Sequence, residues 1–173
     1  VSSLCLNKIG EAYSLNAGAR WYDDTISQGN TDVVLHKLPF VRFNSLKQKI
    51  LKTPFYWKLS SEYTYFYKAD GPKGHRADIY PRFFLPKRFG NYVAIEPSVG
   101  LRETLWHVSP EQNTPEKDTF NRELFDIRVE LFSKLFKTFQ LKESGNGIRH
   151  TVKPQIVYEY IPDRNQDEYP SYD

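Results

Sequence analysis

Apolar and polar side chains alternate residue by residue along most of this chain. In the stretch YVAIEPSVGLRETL, residues 92–105, every second residue from Val93 to Leu105 is apolar except Glu103, and most residues between them are small or charged. Successive side chains of a β-strand point to opposite faces of a sheet, so this period of two predicts strands with one apolar and one polar face. The same alternation recurs at 11–22, 55–68, 76–85 and 148–160.

Clusters of Gly, Pro, Asn and Asp separate these stretches, as in DGPKGH (70–75) and PKRFGN (86–91). Such clusters are typical of turns. The predicted fold class is therefore all-β, with about eight long strands at 1–9, 11–23, 31–44, 54–69, 76–86, 91–108, 122–140 and 148–161. Because the connections are short, the strands should form an antiparallel meander.

The segment 122–141, RELFDIRVELFSKLFKTFQL, fits two patterns. Phe125, Ile127 and Val129 belong to an apolar strand face, whereas Leu124, Leu131 and other residues of the segment form an apolar helical stripe. The neighbouring strands and the lack of a helix-capping box favour a strand.

Four prolines interrupt the predicted strands: Pro39, Pro81, Pro97 and Pro154. Proline has no N–H to donate to a sheet ladder. We therefore expect a bulge, an edge position or weakened pairing at each of them.

An alternating pattern of apolar and polar residues is expected in two classes of β-sheet protein. In a soluble sandwich or small barrel the apolar face is the core, whereas in an outer-membrane barrel it faces lipid and the polar face lines the lumen. Two features favour the membrane barrel. The predicted strands are long enough to cross a bilayer, which takes about 9–11 tilted residues, and aromatic residues bracket the apolar faces of strands 11–22 and 55–68.

These bracketing aromatics resemble the two interfacial belts of a membrane protein. At about 3.3 Å per residue and a tilt near 40°, Phe55 and Tyr65 lie roughly 25 Å apart across the membrane, the height of a lipid-facing band. The predicted lipid-facing belt comprises Tyr13, Trp21, Phe55, Trp57, Tyr65, Tyr67, Tyr158 and Tyr160.

Composition limits the function classes. The net charge of +3 is scattered, which argues against a nucleic-acid partner. Mean hydropathy is −0.62, and no stretch approaches the roughly 20 apolar residues of a spanning helix. The chain starts without Met and without a signal-peptide pattern, so we expect a piece of a longer protein.

Catalytic and cofactor signals are weak. The histidines His36, His75, His107 and His150 lack metal-ligand spacing, no Gly-x-Ser-x-Gly motif is present, and DGPKG (70–74) lacks the strand-to-helix context of a phosphate loop. We predict no enzyme activity, no metal and no cofactor.

Several motifs occur together in one order: LPFVRF (38–43), GHRADIYPRFFLP (74–86), NYVAIEPSVGLRETLW (91–106) and IRHTVKPQIVYEYIPDRNQDEYPSYD (148–173). This order resembles the lipopolysaccharide-assembly outer-membrane protein family, LptD, also called OstA or Imp. The final motif departs slightly, since Tyr172-Asp173 stands where the family commonly has Phe-Asp.

The resemblance implies a section of a large transmembrane β-barrel in the outer membrane of a Gram-negative bacterium. It implies insertion of lipopolysaccharide into the outer leaflet, with sugars in the lumen and lipid A leaving through a lateral gate. The implied partners are lipopolysaccharide, outer-membrane lipids, a plug lipoprotein, LptE, and a periplasmic bridge protein, LptA.

Measured against the family, residues 1–173 should be a single barrel segment, without the periplasmic N-terminal domain and without the gate strands. The inter-domain disulfides of the family cannot be placed, because Cys5 is the one cysteine. Two other hypotheses remain at this point: a complete eight-stranded outer-membrane barrel, structural or lipid-modifying, and a soluble β-sandwich binding module.

In the barrel interpretation the polar set of each strand faces the lumen. Its mixed charge suits a hydrated conduit for phosphorylated sugars or a surface that holds a plug. The predicted lumen-facing residues are Arg20, Lys58, Glu62, Arg76, Asp78, Arg82, Glu96, Arg102, Asp126, Arg128, Glu130 and Lys153.

Overall fold

The computed structural model describes residues 2–22, 35–68, 73–109, 119–140 and 147–163. These residues form strands and turns without a helix. The strands are β1 Ser2–Ile9, β2 Tyr13–Trp21, β3 His36–Ser45, β4 Gln48–Lys49, β5 Tyr56–Tyr67, β6 Lys73–Phe84, β7 Lys87–Phe89, β8 Val93–Ser109, β9 Thr119–Ser133, β10 Leu135–Gln140, β11 Gly147–Val152 and β12 Gln155–Tyr160.

The long strands form one antiparallel meander, in the order β1-β2-β3-β5-β6-β8-β9-β12. Each pairs with its neighbour along the chain, as expected when the connections are too short for a crossover. The sheet is open in the described residues, with β1 and β12 at its edges. The predicted all-β meander of about eight long strands is confirmed, and it is consistent with a section of a barrel wall.

The ambiguous segment 122–141 contains no helix over its described part and forms two strands, β9 and β10, which are separated at Lys134. Residues 119–133 pair with β8 over the whole strand, from Thr119 opposite His107 to Ser133 opposite Val93. Pairing with β8 along the whole strand, and with β12 from Ile127 to Phe132, provides backbone partners for β9 and its neighbours. A helix here would leave one edge of β8 without backbone partners.

Three predicted strands differ from the structure: 76–86, 148–161 and 122–140, of which the last is divided at Lys134 into β9 and β10. The prediction of one strand over 76–86 misses that β6 ends at Phe84 and that β7 resumes at Lys87 in the same register against β8. The prediction of one strand over 148–161 is wrong, because β11 and β12 are separated by Lys153 and Pro154. Their partner strand is interrupted at the same level, at Lys134 between β9 and β10.

The prolines lie at these irregularities. Pro39 follows a cis peptide bond inside a register shift between Lys37 and Phe40. Pro81 pairs with Leu59, but the ladder between β6 and β8 skips Tyr80 and Pro81. The expectation of bulges or weakened pairing is confirmed at both positions.

Pro97 and Pro154 each accept one backbone hydrogen bond from the segment opposite and return none; we call this arrangement a half-pair. The N–H of Leu85 donates to the Pro97 carbonyl at 3.0 Å, and the N–H of Ser133 donates to the Pro154 carbonyl at 3.0 Å. In a hydrogen-bonded antiparallel pair both residues normally donate, but proline has no N–H and cannot return the bond. Each half-pair lies where the partner strand is interrupted.

The two ends of the sheet differ. We call the end that carries Gly10, residues 46–55 and the β7–β8 turn at Gly90 the turn end; Gly90 adopts a left-handed conformation there, with φ of 58°. At the opposite end, which we call the loop end, β2 and β8 finish and β3 and β9 begin. The β10–β11 hairpin extends past the β7–β8 turn at the turn end.

No helix among the described residues is long and apolar enough to span a membrane.

Candidate functional site: the polar face of the sheet

The cross-strand register assigns each side chain to one of two faces. Glu62 lies opposite Asp78, and Asp78 lies opposite Thr104, so these residues share one face, which we call the polar face. The other face carries Leu59, Val99 and their cross-strand partners, and we call it the apolar face.

All the predicted lumen-facing residues except Lys153 lie on the polar face by this register. Lys153 lies in the break between β11 and β12, where it is exposed. The sequence pattern therefore grouped these residues on one surface, although it could not pair them.

Burial is inverted relative to a soluble sheet protein. On β8, Thr104 and Trp106 of the polar face are 0% and 4% exposed, whereas Leu101 and Leu105 of the apolar face are 50% and 41% exposed. Among the described residues, the buried set contains more polar and charged side chains than hydrophobic ones. This crowding of polar side chains is the pattern of a sheet that curves toward its polar face.

A buried charged cluster occupies the middle of the polar face. The Arg82 guanidinium donates hydrogen bonds to the Asp126 carboxylate and to the Tyr80 hydroxyl, and its Nη1 donates to Ser98 Oγ at 3.2 Å. The Tyr80 hydroxyl donates to Asp126 Oδ2 at 2.5 Å. These bonds join β6, β8 and β9 through the Arg82 guanidinium.

Gly100 makes room for this cluster. An added Cβ at residue 100 would lie 2.2 Å from Asp126 Oδ2 and 2.7 Å from the Tyr80 ring. Gly100 lies directly opposite Asp126 in the ladder, so the missing side chain is what lets the carboxylate and the phenol meet above the backbone.

A second cluster lies on the loop-end side of the first. Asp78 Oδ2 accepts from Arg102 Nε and from Thr104 Oγ1, both at 2.8 Å. On the adjacent strands Arg42 binds the Glu62 carboxylate through two nitrogens, at 2.8 and 3.3 Å. Such two-point contacts orient a carboxylate as well as neutralise it.

Ion pairs continue toward the turn end. Lys47 Nζ lies 2.5 Å from Glu96 Oε1, and Arg128 Nη2 lies 2.6 Å from Glu130 Oε1. The Nε of Arg128 is buried and has no hydrogen-bond acceptor within the described part of the chain. An unmatched guanidinium N–H on this face can bind water or an oxygen-rich ligand.

Three further predicted cations on the polar face form no ion pair among the described residues: Arg20, Lys58 and Arg76. Arg20 stacks over the Phe40 ring with its Cζ 5.1 Å from the centroid. Lys58 lies opposite Arg82, and Arg76 lies between Thr64 and Trp106. Together these contacts make the polar face a hydrogen-bonded surface of both charge signs, suited to contact with hydrated or phosphorylated groups.

At the loop end, aromatic rings gather on the apolar face. His36 stacks between Trp21 and Tyr67, with ring centroids 3.8 and 6.1 Å away. His75 stacks on Tyr65 at 4.6 Å and lies 6.2 Å from His107.

At the turn end, Tyr13 stacks with Phe43 at 5.9 Å. Trp57 lies opposite Phe83, while Phe55 precedes the first residue of β5. Tyr158 and Tyr160 of β12 are exposed and lie opposite Val129 and Ile127. The predicted belt residues of β2 and β5 thus lie at two ends of the apolar face, and whether they contact lipid remains a prediction.

Several contributors were missed from sequence. Tyr80, Ser98 and Thr104 complete the buried clusters, and Arg42 and Lys47 supply counter-ions for predicted acids. The alternation with a period of two placed Tyr80, Ser98 and Thr104 on the polar side of their strands. The sequence of a single strand does not show which residue of the neighbouring strand each of them contacts. The histidines in the belt were likewise taken singly, and only the register brings them together.

The described residues contain no group of three His, Cys, Asp or Glu side chains arranged to hold a metal ion. Cys5 is exposed on β1.

Comparison with known proteins gives a consistent result. The family described as LPS transport system D, LptD, matches residues 2–173. The LPS-assembly protein LptD of Nitrosospira multiformis is 27% identical over 138 residues, which cover 79% of this chain and 14% of that protein.

Two further relatives carry the same name. The protein of Nitrosomonas eutropha is 29% identical over 139 residues, covering 79% of this chain and 18% of the relative. That of Methylococcus capsulatus is 24% identical over 164 residues, covering 91% of this chain and 15% of the relative. The chain therefore spans less than a fifth of the length of these relatives.

Proposed function

Because this chain belongs to the LPS transport system D (LptD) family, we propose that it forms part of the barrel wall through which lipopolysaccharide reaches the outer leaflet. The chain is an outer-membrane protein of a Gram-negative bacterium. Its role in this proposal is transport and assembly, without a catalytic step.

The inverted burial of the two faces is the observation that supports this proposal. Leu101 and Leu105 are exposed on the apolar face, while Thr104 and Asp126 are buried on the polar face. A large exposed apolar surface is usually covered by another protein or by lipid. In a barrel wall, lipid covers the apolar face. The polar face then lines the lumen, where its mixed charges contact the sugars and phosphates of a passing glycolipid.

The lengths of the connections suggest an orientation. Outer-membrane barrels have short periplasmic turns and longer external loops. The turn end, with Gly10 and Gly90, then faces the periplasm, and the loop end faces outward, because the longest stretch of sequence between consecutive strands follows β2 there. In this orientation a periplasmic bridge protein, LptA, would deliver its cargo toward the turn end, and a plug lipoprotein, LptE, would contact the polar face.

Site-specific photocrosslinking in living cells tests this function. A photoreactive residue replaces Lys58 or Asn44 on the polar face, or their chain neighbours Leu59 and Phe43 on the apolar face, in the full-length protein. We expect lipopolysaccharide adducts at Lys58 and Asn44 that disappear when delivery from the periplasm is arrested. Adducts at Leu59 and Phe43 should not depend on delivery, because they report resident lipid.

The matched neighbours make the result interpretable, since each pair differs by one residue and by face. Absence of adducts at both polar-face positions in a correctly assembled protein would contradict the proposal. Adducts that persist unchanged after transport arrest would contradict it as well.

A further inference from the structure

Two adjoining cavities lie at the turn end, where the β10–β11 hairpin leaves the wall. Their volumes are about 300 and 420 Å³, and they share Arg88, Phe132, Ser133 and Lys134 as lining residues. We call the combined cavity the rim hollow. Its size falls in the range of small-molecule sites.

The rim hollow forms because both strands of the hairpin break at one level. Ser133 donates to Pro154, which cannot return the bond, and the strands resume beyond Lys134 and Lys153. The β7–β8 turn ends the neighbouring ladder at Val93 opposite Ser133. Past this level the hairpin has no paired neighbour among the described residues, and the hollow opens beside it.

Positive charge converges on this hollow. Arg88, Lys134, Arg149 and Lys153 line it, and all four are exposed. None of them forms an ion pair within the part of the chain that the structure describes.

One acid lines the hollow, and both of its oxygens are occupied. Glu130 binds Arg128 at 2.6 Å through Oε1 and accepts from Gln155 Nε2 at 3.2 Å through Oε2. Four other acids of the polar face each bind an arginine or a lysine: Glu62, Asp78, Glu96 and Asp126. The hollow therefore gathers around one cavity four cations that form no ion pair within the described residues, whereas in the middle of the polar face Asp78 and Asp126 each bind an arginine.

Apolar side chains break the polar pattern at the same place. Phe132 lies on the polar face, opposite Gln155 and Ala94, yet it is 40% exposed. Phe136 continues that face into the hairpin and carries the Arg149 guanidinium 4.0 Å above its ring. Exposed rings beside unpaired cations suit a ligand that has both an anionic group and an apolar part.

We infer that the rim hollow binds the phosphate-bearing end of an anionic amphiphile, with the cations on the phosphate and Phe132 and Phe136 against its apolar part. Guanidinium and ammonium groups both form strong charge-assisted bonds to phosphate. This inference rests on the proposed function for the source of the ligand, a phosphorylated glycolipid arriving at the turn end.

Binding to the purified full-length protein in detergent tests this inference. The probes are a bisphosphorylated lipid A, the same glycolipid without phosphates, and inorganic phosphate as a competitor. The variants are Lys134→Gln combined with Lys153→Gln, and separately Arg88→Gln on another strand. Lys137→Gln is the matched control, because Lys137 lies on the opposite face of the same hairpin, over the Phe139 ring.

We expect the bisphosphorylated probe to bind the unchanged protein at least about tenfold more tightly than the dephosphorylated one. The double variant and Arg88→Gln should each reduce that preference severalfold, and Lys137→Gln should leave it intact. Equal affinity for the two glycolipids, or equal loss in Lys137→Gln, would overturn the inference. Full displacement of the glycolipid by millimolar inorganic phosphate would show that the apolar part of the ligand adds nothing to binding, which would overturn the role inferred for Phe132 and Phe136.

The crosslinking assay at Lys58 separates this inference from the proposed function. If transport-dependent adducts form at Lys58 while the phosphate preference is absent, the rim hollow fails and the proposed function stands. If the preference for the phosphorylated glycolipid is present while Lys58 gives no adduct, the proposed function is refuted and the rim hollow remains a binding site.

Discussion

Leu85 and Pro97 are joined by one backbone hydrogen bond where an antiparallel pair normally has two. The N–H of Leu85 donates to the Pro97 carbonyl at 3.0 Å, and proline has no N–H to return. On the other side Pro97 remains in register with Val129 of β9. The β6–β8 seam is therefore weaker than the β8–β9 seam at the same level.

Replacing Pro97 by alanine should restore the second bond. A new amide at residue 97 can donate to the Leu85 carbonyl, which adds about 0.5–1.5 kcal/mol of local stability. We expect slower amide hydrogen exchange at Leu85 in the detergent-solubilised full-length protein, measured by mass spectrometry.

Pro154→Ala is the matched control for this prediction. It should slow exchange at Ser133, the donor of the other half-pair, and leave Leu85 unchanged. An unaltered exchange rate at Leu85 in Pro97→Ala would show that the missing N–H does not limit pairing there.

Gly100→Ala should destabilise the wall. The added Cβ would lie 2.2 Å from Asp126 Oδ2 and would push the carboxylate away from Tyr80 and Arg82. Overpacking of this kind costs about 1–3 kcal/mol. The heat-dependent shift in gel mobility of the assembled barrel should occur at a lower temperature.

Gly147→Ala provides the comparison for Gly100→Ala, because its added Cβ would meet nothing closer than the Thr138 Cγ2 at 3.3 Å. It should change the transition temperature little. Equal shifts in the two variants would contradict the close approach at Gly100.

The pair Arg82–Asp126 should be coupled more strongly than the pair Arg42–Glu62. The side chains of the first pair are 9% and 10% exposed, against 41% and 34% in the second. Double-mutant cycles with Arg→Gln and Asp→Asn or Glu→Gln should give about 2 kcal/mol for the first and below about 1 kcal/mol for the second. Urea unfolding in detergent measures both, and equal coupling energies would refute the burial argument.

The three tryptophans report the two faces directly. Trp21 and Trp57 lie on the apolar face, and Trp106 is 4% exposed on the polar face. In liposomes containing brominated lipid, single-tryptophan proteins should be strongly quenched at Trp21 and Trp57 and little at Trp106. Quenching of Trp106 as strong as that of Trp57 would reverse the assignment of the faces.

The interruptions show where prediction from sequence stops. Pro97 and Pro154 were visible as missing donors, and weakened pairing was expected at both. Only the register shows that the partner strands break beside these prolines, at Leu85–Pro86 and at Lys134. The same register brought Lys134 and Lys153 to one hollow, although Lys153 alone had been predicted and on an unbroken strand.

The sequence by itself determined the all-β class and the face of nearly every predicted residue, because the side-chain period of a strand is two whatever its partner. It could not pair Arg82 with Asp126 or Asp78 with Arg102, since residues so far apart in the chain meet only through strand register. Register depends on turn geometry and on the packing of both faces together. For that reason the tertiary structure alone decided which charges cancel on the polar face and which remain free at the rim.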